Sequence, residues 1–127
     1  MWEYERGEGR NKHRWKHDKA GFEPGDKGQI GKCPKNIDEA LAKDILNSGI
    51  PLSDEDDQVP SKIYTQYKGV IYEAVPTRPG KSWHAYPWRR DLPGRAPLPS
   101  RIKRHLEALA TEQNYLKEYK AWMKTYS

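Results

Sequence analysis

Apolar positions along this chain repeat with two different periods, and each change of period marks a change of element. Ile37, Leu41 and Ile45, with Ala42 and Leu46 beside them, fall at three- and four-residue spacing, the stripe of an amphipathic helix. Asn36 is a favoured N-cap residue, Glu39 stands three positions on as in a capping box, and Gly49 is placed to end the helix. The spacing predicts a helix over 37–48.

After a linker from Pro51 to Pro60 the period drops to two. Lys62–Tyr67 and Val70–Val75 are rich in β-branched and aromatic residues, and Lys68-Gly69 between them suits a two-residue hairpin turn. Pro79-Gly80 marks a second turn before a third strand, Ser82–Trp88, with Pro87 suited to an edge or strand end. The pattern predicts a three-stranded antiparallel meander over 62–88.

Asp91–Pro99 reads as an extended connector, with Ser100 capping the helix that follows. Its stripe is Ile102, Leu106, Leu109 and Leu116, and a second stripe runs through Tyr115, Tyr119, Trp122 and Tyr126. The change of phase near Thr111–Asn114 predicts a helix pair over 100–126 with Asn114 at the junction; one long helix is the alternative. Residues 1–35 keep no period and contain Gly7, Gly9, Gly21, Pro24, Gly25, Gly28 and Gly31. They read as an irregular basic and aromatic arm ahead of a single α+β domain at 36–127.

Composition fits this picture. With 127 residues, 35% hydrophobic and 32% charged, the chain can build one modest core supported by five Trp and eight Tyr. A single cysteine, Cys33, excludes an intramolecular disulfide. The first residues are charged, without the apolar stretch of a secretory signal, and no apolar run is long enough to span a membrane. The expectation is a cytoplasmic protein.

Charge is more informative by segment than in total. The net +5 conceals ten basic against two acidic side chains in residues 61–104, preceded by the acidic run Asp54–Asp57. This basic segment also holds the densest group of aromatic and titratable residues. On a strand, His84, Tyr86 and Trp88 share one face and Trp83 and Ala85 the other. Arg89 and Arg90 follow, and Glu73 lies on the neighbouring strand in a register the sequence leaves open.

A histidine near a carboxylate can exchange protons at neutral pH, and arginine can steady a phosphate. The catalytic set expected on this basis is His84, Glu73, Tyr86 and Arg89. Aromatic rings among cations can stack and hold single-stranded nucleic acid. The corresponding binding set is Arg78, Lys81, Trp83, Trp88, Arg90, Arg95, Arg101 and Arg104. The same aromatics also read as core and edge of a small sheet.

Other motifs carry less. His13 and His17 have zinc-helix spacing, but Arg14 stands where the catalytic glutamate of such helices falls, and Lys12, Arg14 and Lys16 repel a cation. Gly28–Pro34 lacks the spacing of a phosphate loop, and Cys33 beside Lys32 reads as a reactive or a buried thiol. No metal or other cofactor is expected.

The leading expectation is a binder of RNA or single-stranded nucleic acid, or a small metal-independent ribonuclease of the bacterial toxin type. The alternative is a non-catalytic interaction module bound by an acidic protein partner, with the stripe from Tyr115 to Tyr126 as its surface.

Overall fold

The computed structural model describes residues 2–4, 20–25, 28–32, 37–53, 60–78, 81–90 and 98–126. Its elements are strands β1 (Glu3–Tyr4), β2 (Gly21–Gly25) and β3 (Gly28–Lys32), helix α1 (Glu39–Asn47), strands β4 (Ile50–Leu52), β5 (Lys62–Tyr67), β6 (Val70–Arg78) and β7 (Ser82–Pro87), then helices α2 (Ser100–Glu112) and α3 (Leu116–Tyr126). The class is α+β, as the periodicity implies.

The sheet is larger than the predicted meander. β5, β6 and β7 form its centre, and β4 and β1 extend it to the order β1-β7-β6-β5-β4. All neighbours are antiparallel except β1, which runs parallel to β7. Two-residue and three-residue strands are too short to show a period, so β1 and β4 carry no sequence signal of their own. β2 and β3 form a separate two-stranded hairpin. The arm expected to be irregular thus contributes three strands.

Side-chain alternation gives the sheet two buried faces. On one, Ile50, Tyr64, Ile71 and Trp88 pack with Ile102, Leu106 and Ala110 of α2 and Tyr119 of α3. On the other, Ile63, Ala74 and Trp83 pack with Leu46 of α1, and Trp2 and Tyr4 close over them. Asn47 anchors this N-terminal segment by accepting from the Trp2 amide at 2.8 Å and donating to the Trp2 carbonyl at 2.9 Å. One side chain therefore gives Trp2 the pair of bonds a neighbouring strand would supply.

Helix ends differ in detail from expectation. Asp38 caps α1, its carboxylate accepting from the Leu41 amide at 2.8 Å; Asn36, the expected cap, lies outside the described residues. Gly49 follows the Ser48 C-cap as expected, but its reason is space. A Cβ there would lie 2.6 Å from Ile63 Cγ2. Pro99, not Ser100, is the N-cap of α2, and no side chain caps that end. The helix pair is real: Asn114, at φ 66°, breaks the run between α2 and α3.

The β5–β6 turn has the expected two residues, both left-handed, with Lys68 at φ 52° and Gly69 at φ 84°. Gly69 is doubly constrained, because a Cβ there would meet Glu118 Cβ at 2.5 Å and the Tyr119 amide at 2.7 Å. Gly69→Ala should destabilise the fold by about 1–3 kcal/mol in urea titration. Lys68→Gly, which only relieves a positive φ, should leave the midpoint nearly unchanged. Equal losses in both would contradict this assignment.

Tyr119 closes the α2–α3 contact, its hydroxyl donating to the Lys103 carbonyl at 3.2 Å. Burial, with Glu107 nearby, pushes its pKa up to about 12. The unfolded chain releases this proton near pH 10 and the folded chain near 12, so the unfolded state binds fewer protons in between and stability falls as pH rises through that window. The drop in urea midpoint from about pH 9 to about pH 11 should be smaller in Tyr119→Phe than in the parent. An identical drop would exclude Tyr119 as a contributor.

Candidate functional site

A two-residue turn at 68–69 pairs Tyr64 with Glu73 across the β5–β6 ladder. On the other side of β6, Glu73 pairs with Tyr86 of β7. The three residues form one rung on the α2–α3 face of the sheet. Tyr64 donates to Glu73 Oε2 at 2.9 Å, Tyr86 donates to Oε1, and Lys62 Nζ lies 3.6 Å from Oε2. Glu73 is 0% exposed, whereas Lys62 is 26% exposed. A carboxylate buried this deeply is tolerable only when paired and hydrogen-bonded, and here both oxygens are engaged.

The expected catalytic residues are thus only partly united. Glu73 and Tyr86 meet in the interior. His84 shares their face two positions along β7 and lies opposite Val75, its Nδ1 at 2.7 Å from Thr77 Oγ1. Arg89 lies apart, its guanidinium 4.9 Å from the Phe22 ring centroid and 5.1 Å from that of Tyr126. It is part of an aromatic cluster in which Phe22, Trp122 and Tyr126 sit within 5.8 Å of one another.

That cluster also takes in Trp122 and Tyr126 of the stripe expected to face a partner. Tyr119 is buried, and Trp122 is half-buried with its indole N–H donating to the Trp88 carbonyl at 3.0 Å. The β2–β3 hairpin supplies Phe22 against Trp122 and Tyr126, so part of the stripe is taken up by packing within the chain, while Tyr115, Trp122 and Tyr126 stay partly exposed.

The expected binding residues divide sharply. Trp83 and Trp88 are each 0% exposed and present no ring face to solvent. Arg78, Lys81, Arg90, Arg101 and Arg104 are exposed; Arg95 lies outside the described residues. So do His13, His17, Cys33 and the acidic run at 54–57. Among the described residues no group of three or more His, Cys, Asp or Glu side chains could hold a metal ion, and no helix is long and apolar enough to cross a membrane.

Two of the exposed expected cations, Arg101 and Arg104, lie on α2. Arg101, Lys103, Arg104 and His105 occupy its first two turns, all exposed, with no acidic residue in the first turn and no basic residue in the last. Arg101, Arg104 and His105 line one end of an open groove of about 560 Å³ between α2, Ser48 and Ile50. Glu112, the acidic residue of that groove, is not among the residues expected from the sequence, whereas His105 belongs with Arg101, Lys103 and Arg104 to the positive charge the sequence places at the start of this helix. Helical spacing from Arg101 (Arg104, His105, Ala108, Glu112) would have put them on one face, but only the position of Ile50 and Ser48 makes that face a groove.

Comparison with protein families, with curated proteins and with solved structures finds no match.

Glu73→Ala should cost about 3–5 kcal/mol, since it strands two buried hydroxyls and empties a fully buried site, while Tyr86→Phe should cost about 1.5–3 kcal/mol. Chemical denaturation measures both. A Glu73→Ala protein as stable as the parent would show that the rung does not hold the sheet.

Proposed function

We propose that this protein binds RNA or single-stranded nucleic acid, and that α2 is the gripping element. The observation that carries the reading is the charge order of α2. The positive end of the helix dipole lies at the N-terminus, yet Arg101, Lys103, Arg104 and His105 crowd there. Among the described residues no ion pair neutralises Arg101 or Arg104. Such an arrangement lowers helix stability and raises attraction for a polyanion, whose phosphates the exposed guanidiniums and the uncapped helix amides both favour.

Binding is a better fit than cleavage. Glu73 and Tyr86 are committed to each other in the interior, and Arg89 to two aromatic rings. The tryptophans of the central sheet, buried as they are, leave phosphate contact as the main source of affinity.

Anisotropy of a labelled single-stranded oligonucleotide of about ten residues should show binding that weakens steeply with salt. Arg101→Glu with Arg104→Glu should weaken binding and flatten the slope of log K against log salt by about 1.4, from two cations at roughly 0.7 each. Arg101→Glu alone should raise stability by about 0.3–1 kcal/mol, because it corrects the dipole mismatch. Absence of binding at low salt would refute the reading, and capture of an acidic polypeptide but no oligonucleotide would favour a protein partner.

A further inference from the structure

We infer that the groove beside α2 is a base-reading subsite that selects guanine, with Glu112 as the residue that reads it. This rests on the nucleic-acid reading above and assigns it a preference. The groove is graded along its length. Along α2 its lining runs from the cations Arg101, Arg104 and His105 through the apolar Ala108 and Leu109 to the acidic Glu112, with Ser48 and Ile50 completing the wall.

The grading has the dimensions and order of one nucleotide. Arg104 and Glu112 are eight residues apart on α2, a rise of about 12 Å, comparable to the reach from a phosphate to the pairing edge of its base. A phosphate on Arg104 places the flat base over the aliphatic middle and its edge against the carboxylate.

Glu112 is a second departure from what the helix itself prefers. It puts a negative charge in the last turn, at the negative end of the dipole, where no basic residue offsets it. Among the described residues it makes no ion pair. Both ends of α2 are therefore charged against the dipole, and both line the same groove.

A carboxylate can only accept hydrogen bonds, and two parallel ones are its strongest arrangement. Guanine offers N1–H and N2–H side by side. Adenine and cytosine present one amino group beside an acceptor nitrogen, and uracil presents a single N–H between two carbonyls that repel the carboxylate. The order of preference follows, with guanine first and uracil last.

The test uses uridine oligonucleotides with one central position varied, bound to the full chain at fixed salt. The guanine version should bind about tenfold more tightly than the all-uridine one, within the range of a bidentate base contact. Glu112→Gln should reduce that preference to less than about twofold while all-uridine binding and its salt dependence persist. A thermal melt of Glu112→Gln no lower than the parent's establishes that the fold is intact. Equal binding of all four versions by the parent, or a guanine preference retained in Glu112→Gln, would overturn the subsite and leave the nucleic-acid reading standing. Failure of every oligonucleotide to bind at low salt would overturn both.

Discussion

Glu73 lies at the centre of the sheet with no exposed surface, and the strands on either side are held in the register that satisfies it. A buried carboxylate without partners would be strongly destabilising, so Tyr64 from β5 and Tyr86 from β7 must both arrive opposite it. A slip of one residue in either ladder would turn the carboxylate or a tyrosine to the other face. The rung thus specifies the alignment of three strands at once. Every surface displayed by the helices above them depends on that alignment.

The apolar faces then follow from alternation. Tyr64 and Trp88 draw α2 and α3 onto one side, while Ile63 and Trp83 draw α1 and the N-terminal segment onto the other. Aromatic residues that resemble a binding surface in sequence are consumed as mortar. Trp122 and Tyr126 pack with Phe22, and Arg89 covers the rings. Among the described residues, the tryptophans of the central sheet face inward and the arginines of α2 face outward.

α2 combines a deeply buried stripe with an outer face whose charges its own dipole disfavours. Its apolar stripe, Ile102, Leu106 and Ala110, is fully buried and secures the helix by packing. Its outer face carries charges that the dipole disfavours at both ends. The helix tolerates this because tertiary packing, not local electrostatics, supplies most helical stability. Anchored by that packing, α2 displays exposed charge that a free-standing helix would disfavour.

Periodicity and turn residues together pointed to the α+β class, the central strands β5 and β7 almost to the residue, the tight turn at Lys68-Gly69, and a helix pair with Asn114 at its junction, against one long helix as the alternative. These features depend on local pattern and on the backbone freedom of single residues. The pairing of Tyr64 with Glu73 was also within reach, because a two-residue turn sets the register of its hairpin. The β6–β7 pairing was not. From the Arg78–Ser82 pair, regular counting would set Glu73 opposite Pro87, on the face away from Tyr86 and His84; the register shift between Pro76 and Arg78 moves the ladder by one and brings Tyr86 to the carboxylate. Strands β1 and β4 were equally hidden, since segments of two and three residues gain their stability from the neighbour they join. Sequence placed the basic charge in one stretch of chain. Only tertiary structure decided which of those residues face inward and which line a groove, because burial depends on partners distant in the chain.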